Sequence, residues 1–261
     1  SIGTEGFASS LGEGSLSRET ALAGTYFFPT GSSEGTLRYR PVTLTTAAAT
    51  ANTYNARLVN FPTPDSTSID STVICKVNPY FFHKLKHPVG TTAVDIDIFY
   101  DQITDGPWDA QAQWNVPTAS YWNSMGTATN TNATPYNDVM KLSWSNFTND
   151  SIVLIRHVPS APALTCLDSI CPWTKANLFT AAGAGPNFIW SSPPGTTIIS
   201  GQGSSSATID WNDTSGVVKI YQIIFNGCVS PYDSCTVNLA PFPIAGFDTL
   251  SKGRFRNDYF F

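Results

Sequence analysis

The sequence has little charge and few of the residues that favour helices. Only 13% of its 261 residues are Asp, Glu, Lys or Arg, and Glu, Lys and Leu are sparse where Thr, Ser, Asn, Gly (19) and Pro (18) abound. That balance excludes a helical bundle and points to a chain of strands and turns. With 14 basic residues against 19 acidic ones the formal net charge is −5, and no basic stripe is available for counterion release. Nucleic acid is therefore excluded as the expected partner. No apolar run is long enough to span a bilayer, so no membrane span is expected. A Gly-Xaa-Ser-Xaa-Gly elbow, a Walker loop and a dinucleotide fingerprint are all missing, and no Ser-His-Asp set emerges from spacing. Catalysis has no support in such a sequence. The chain begins at Ser1 without a leader, which reads as a mature or internal segment.

What is present reads as strand after strand. Residues 1–23 are coil or an edge strand; regular signals start at Gly24 and continue through residues 36–45, where Pro41 marks an edge or a bulge. The clearest alternation runs from Ala93 to Asp101, with Val94, Ile96, Ile98 and Tyr100 on one side and Asp95, Asp97 and Asp101 on a wet face. Residues 73–87 supply one long or two short strands, and 109–116, 120–125, 138–147 and 151–157 follow. A Pro/Ala stretch after Pro159 sets a domain boundary. Beyond it, residues 185–211 parse as strand, Pro-Pro-Gly turn, strand, Gly-Gln-Gly turn and strand, and Gly216–Phe225 is apolar on both faces, as in a central strand. The expectation is all-β: two antiparallel β-sandwich domains in tandem, over residues 1–158 and 159–240, then an aromatic tail over 241–261.

Residues 171–239 resemble the PKD-like, immunoglobulin-type modules of secreted cell-surface proteins of the Bacteroidota. The matching features are Cys171, Phe-Ile-Trp at 188–190, the Pro-Pro-Gly-Thr-Thr-Ile turn and strand, Gly-Gln-Gly, Trp211 and Asn-Gly-Cys at 226–228. Upstream, residues 24–31 and 39–44, Trp114 and Trp-Asn-Ser-Met-Gly at 122–126 resemble a β-sandwich module that precedes it in such proteins. The resemblance implies export through a type IX secretion system and a non-catalytic structural or adhesive role at the cell surface, as a fibre subunit or adhesin segment. Partners would be copies of the chain or neighbouring modules.

Five Cys without a zinc-type spacing suit disulfides in an oxidising compartment. First and last strands lie side by side in an Ig-type sandwich, which lets Cys166 meet Cys235, while the resemblance places Cys171 near Cys228. Local loops Cys166–Cys171 and Cys228–Cys235 are the rival pairing, and Cys75 is left as a buried thiol. The apolar tail residues Phe247, Phe255, Tyr259, Phe260 and Phe261 are candidates for assembly, for instance by adding a strand to a neighbour's sheet edge. The alternative function is a carbohydrate-binding or enzyme-accessory module in which Trp108, Trp114 and Trp122 stack on sugar rings, against the plainer reading that they are core. No cofactor or metal is expected; Asp95, Asp97, Asp101, Asp105 and Asp109 offer oxygen ligands for calcium only as a minority reading. His83 and His87 share a strand face too widely spaced for joint ligation and read as surface residues beside a basic patch. Ser66, Ser71, Ser151, Ser169 and Thr249 follow the Asp-Ser/Thr-apolar pattern of O-glycosylation in that bacterial group.

Overall fold

The structure is a computed structural model in which residues 6–9, 12–114, 120–130, 136–224 and 227–241 are described. These residues form antiparallel sheets with a single helical turn, and no helix among them is long and apolar enough to cross a membrane. The chain divides into two compact units. Unit 1 takes Ser1–Ser160 together with Ile223–Ser230, and unit 2 takes Ala161–Gln222 and Pro231–Phe261. The expected second domain is therefore interrupted: eight of its residues, Ile223–Ser230, belong to the first unit.

Unit 1 contains β1 (Leu16–Thr20), β2 (Gly24–Phe28), β3 (Gly31–Ser32), β4 (Arg38–Tyr39), β5 (Val42–Thr46), β6 (Asn52–Val59), β7 (Ile74–Val77), β8 (Phe82–Val89) and β9 (Val94–Tyr100). The helical turn α1 (Gln102–Asp105) follows, then β10 (Ala110–Trp114), β11 (Trp122–Ser124), β12 (Asn137–Trp144) and β13 (Ser151–His157). One sheet has the order β1-β6-β8-β13-β10-β11, with β7 also paired to β13. The facing sheet is β12-β9-β5-β2, and β3 and β4 form a short ribbon.

Alternation decides which side chains fill the space between the sheets. Tyr54, Ala56 and Leu58 of β6 meet Val42, Leu44, Ile96, Ile98 and Val139 in one core. The run Ile152–Ile155 has no polar member, so β13 is buried on both sides: Ile152 and Leu154 face that core, Val153 and Ile155 a second one with Ile74, Phe82 and Trp122. Gln111 is fully buried between the sheets and donates from Nε2 to the carbonyls of Ile96 (2.9 Å) and Val139 (2.7 Å), which ties β10 to two strands of the opposite sheet. Pro41 separates β4 from β5, which replaces the single strand expected there.

Unit 2 contains β14 (Ala163–Thr165), β15 (Ser169–Ile170), β16 (Asn177–Ala182), β17 (Asn187–Ser191), β18 (Thr197–Ser200) and β19 (Ser206–Asp210). It also holds β20 (Gly216–Ile224), whose last two residues belong to unit 1, and β22 (Asp233–Leu239), while β21 (Cys228–Val229) lies in the unit 1 segment. Its sheets have the orders β14-β16-β19-β18 and β15-β22-β20-β17. This is the strand order of an immunoglobulin-type sandwich whose first strand is shared between the sheets. Trp190, Trp211 and Phe179 lie in its core, and both indoles find carbonyl acceptors, at Ser204 and Thr214. At Gly201, with φ of 90°, an added Cβ would meet the Ser206 carbonyl oxygen at 2.0 Å, so the Gly-Gln-Gly turn tolerates no side chain there. β20 is central but one-sided: Val218 and Ile220 are buried while Val217 and Lys219 are exposed, because only one of its faces meets the other sheet.

Two disulfides are formed, Cys166–Cys235 and Cys75–Cys228. The expected Cys171–Cys228 pairing and the solitary Cys75 are both corrected: Cys228 lies in the segment that belongs to unit 1, next to Cys75 on β7, and Cys171 is an exposed free thiol. The Cys75–Cys228 bridge closes a loop 153 residues long, for which chain entropy sets a contribution of about 2–5 kcal/mol. Non-reducing peptide mapping should recover the linked pairs 75–228 and 166–235 with alkylated Cys171. Replacing Cys75 and Cys228 together by Ser should lower the unfolding free energy by about that amount in urea titrations.

Candidate functional site

The loop end of unit 1 carries a dense polar network organised around Arg40. Because Pro41 ends the ladder, the Arg40 side chain turns inward and is 6% exposed. Its guanidinium grips Asp105 with two nitrogens: Nε reaches Oδ2, and Nη2 reaches Oδ1 at 3.0 Å. Nη2 also donates to Thr104 Oγ1 (3.0 Å) and Nη1 to the Tyr39 carbonyl (2.8 Å). Asp105 Oδ2 accepts in addition from the backbone N–H of Asp101, whose own carboxylate caps Ile103 N. A fully satisfied pair of this kind fixes α1 as a rigid turn. Arg38 extends the site: Nη1 donates to Asn60 Oδ1 at 2.7 Å, and the guanidinium lies 5.5 Å from the Tyr80 ring centre.

Two adjoining hollows flank this pair and share Thr104. One, of about 330 Å³, is bordered by Lys76, Tyr80, Ile103 and Trp108; the other, of about 280 Å³, by Phe7, Leu37, Tyr39 and Tyr136. Around them Ile103 is 95% exposed, Leu37 69% and Tyr80 47%.

His83 lies behind Arg40. Its Nε2–H donates to the Arg40 carbonyl at 2.9 Å, and Nδ1 is buried without a partner. Burial, aided by the Arg40 charge, pushes the imidazole down to about 4. The expectation of a surface histidine is thus wrong for His83, while half-buried His87 stacks on Tyr54 at 4.2 Å. On the far face of β9, Asp97 is 6% exposed beside the buried Asp138, and burial followed by that like charge pushes its carboxyl up to about 7. The expected wet face is closed at this point, with Phe99 also buried.

Four of the five acids singled out for calcium have separate employments: Asp95 accepts from Ser143 N, Asp101 caps α1, Asp105 holds Arg40, and Asp109 faces Arg156 and His157. Among the described residues no three His, Cys, Asp or Glu side chains are placed to hold a metal. The tryptophans do not form a platform either. Trp108 and Trp122 are buried in different cores, with indole N–H groups donated to the Asp105 and Pro64 carbonyls, and half-buried Trp114 packs edge-on against Trp122 at 5.2 Å. Ser71 and Ser169 are exposed, and Ser66 and Ser151 half-buried. Thr249 and the tail residues Phe247, Phe255, Tyr259, Phe260 and Phe261 lie outside the described residues.

One constellation had no signal in the sequence. Ser124 Oγ lies 2.9 Å from His157 Nε2, and His157 Nδ1 faces Asp109 Oδ1. The last distance is 3.6 Å, too long for a hydrogen bond, and the same carboxylate oxygen accepts the backbone N–H of His157 at 2.9 Å. The Ser124 hydroxyl meanwhile accepts from Gly126 N. These bonds stitch the ends of β10, β11 and β13, and they leave the imidazole unsupported as a base. No known protein family, curated protein or solved structure matches the chain.

His83 and Asp97 predict opposite responses to pH. Unfolded, His83 takes its proton near 6.5, folded only near 4, so it withdraws stability as pH falls between those values. Asp97 holds its proton up to about 7 when folded against 3.8 otherwise, so it withdraws stability as pH rises across that window. In urea unfolding, Asp97→Asn should therefore gain roughly 2–4 kcal/mol at pH 8. The same variant should lose stability on acidification from pH 6.5 to 4 more steeply than the unchanged chain.

Proposed function

We propose that the chain is a non-catalytic, extracellular structural or adhesive protein that acts through the loop end of unit 1. The observation that carries this reading is the display of Leu37, Tyr80 and Ile103 around the buried Arg40–Asp105 pair. A base held by a bidentate ion pair presents those side chains without the entropy cost of ordering a loop on contact. Two disulfides favour an oxidising compartment, in keeping with the sequence resemblance to exported Bacteroidota surface proteins. The polar clusters capable of chemistry are occupied with structure: His83 is sealed, and the His157 imidazole lacks a carboxylate at bonding distance. The partner at the loop end is a further copy of the chain or a neighbouring module, and the aromatic residues 247–261 supply a second contact.

Sedimentation velocity of the full chain over a range of concentrations tests this. Association is expected, with loss of at least half of the assembled fraction in Tyr80→Ser/Ile103→Asp while the thermal midpoint stays within about 2 °C, since exposed side chains contribute little to stability. Deleting residues 242–261 should likewise leave a folded monomer. A chain that is monomeric throughout, or variants that assemble undiminished, would refute the reading.

A further inference from the structure

The outer face of the long sheet of unit 1 gathers cations that lie far apart in the sequence. Tyr54, Ala56 and Leu58 of β6 point into the core, so Asn55 and Arg57 point away from it. In the antiparallel register Arg57 stands directly opposite Lys84, and Asn55 opposite Lys86. Three like charges thus occupy two neighbouring rungs of paired strands, a placement that destabilises a sheet. Relief from within the protein is partial. Asp150 Oδ2 lies 3.6 Å from Lys84 Nζ and 3.5 Å from Lys86 Nζ, and among the described residues no carboxylate forms an ion pair with Arg57. Arg57 Nη1 is moreover buried with no hydrogen-bond partner, and so is the neighbouring Asn55 Oδ1. A guanidinium nitrogen withdrawn from solvent and given no acceptor is costly unless something else supplies one.

The space beside these groups is a small notch of about 20 Å³, lined by Arg57, Asn55, Lys84, Lys86, Ser15 and Glu13. A separate hollow of about 350 Å³, which shares Lys86 with the notch, is bordered by His87, Phe147, Asn149 and Asp150. The His87 and Phe147 rings meet edge-on at 5.2 Å there, so the cationic notch and the aromatic hollow adjoin through Lys86.

We propose that this surface binds an acidic polysaccharide, with carboxylate or sulfate groups on Arg57, Lys84 and Lys86 and a sugar ring against His87 and Phe147. Arg57 supplies the planar donor pair that suits such anions, the two lysines supply point charges, and the rings supply the apolar face that a pyranose covers. The site is separate from the loop end and shares none of its residues, so either reading can fail alone. A single anionic sugar chain matches this surface better than nucleic acid does. The cations are three, Glu13 and Asp150 stand among them, and the chain as a whole carries −5.

Biolayer interferometry of the full chain on immobilised polygalacturonate, a sulfated galactan, neutral dextran and single-stranded DNA tests the assignment. Binding to one or both acidic glycans is expected, which identifies the anion, together with a roughly ten- to hundredfold loss between 0.05 and 0.3 M salt, of the order that release of two or three counterions gives. Arg57→Ala and Lys84→Ala/Lys86→Ala should each weaken binding at least tenfold with thermal midpoints that do not fall, and Arg18→Ala, an exposed cation outside the notch, should change it less than twofold. Failure to bind either acidic glycan, equal binding to dextran, tighter binding to DNA, or retention of affinity in the notch variants overturns the proposal. Should a notch variant lose its fold, Arg57→Gln, which keeps the length and a planar amide, replaces it, and undiminished affinity in that variant overturns the proposal equally.

Discussion

The buried contact between Arg40 and Asp105 is the constraint on which the loop end of unit 1 depends. It joins a strand break to a helical turn 65 residues later, and it occupies two nitrogens of a guanidinium that has left solvent, the third donating to the Tyr39 carbonyl. Either partner alone would be an uncompensated charge in an apolar setting, a loss of about 3–5 kcal/mol. Around that pair the remaining groups are arranged by necessity. The Arg40 carbonyl takes the proton of His83, the Asp105 carbonyl takes the indole proton of Trp108, and Asp101 closes the first turn of α1. Exposed Ile103 is the outward end of this inwardly tied segment.

The two units meet the same physical demand in different ways. Unit 1 sends Gln111 across the gap between its sheets, an amide that bonds two opposing strands where a leucine would bond none. Unit 2 pins its first and last strands with Cys166–Cys235 and uses Gln202, both donor and acceptor to the backbone of Trp190, as a side-chain extension of a ladder. In both, side-chain amides complete hydrogen bonding that strands leave open at turns and between sheets. Few charges are needed inside, which is why so weakly charged a sequence still builds its cores.

Polar groups sort into those consumed by the fold and those left facing outward. His83, Asp97, Asp105, Asp109 and His157 all look chemically capable in isolation, yet each is committed to a carbonyl, a guanidinium or a backbone N–H, or is sealed among apolar neighbours. The outward groups are different in kind: apolar residues on the loop end, and cations on the back of the long sheet whose partners are incomplete.

Period-two alternation made most of the strands legible before any coordinates, because a half-buried strand must place every second residue inside. The Gly-Gln-Gly turn, the break at Pro41 and the sandwich nature of residues 163–239 follow from the same local rules. The sequence also carried the Cys166–Cys235 pairing as an option, once first and last strands were placed side by side. Only the tertiary structure decided the partner of Cys75, the burial of His83 and Asp97, the separation of Trp108 from Trp122, and the meeting of Arg57 with Lys84 and Lys86. Each of these is a pairing between distant segments, and strand register, which local periodicity leaves free by any even number of residues, is what brings such segments together.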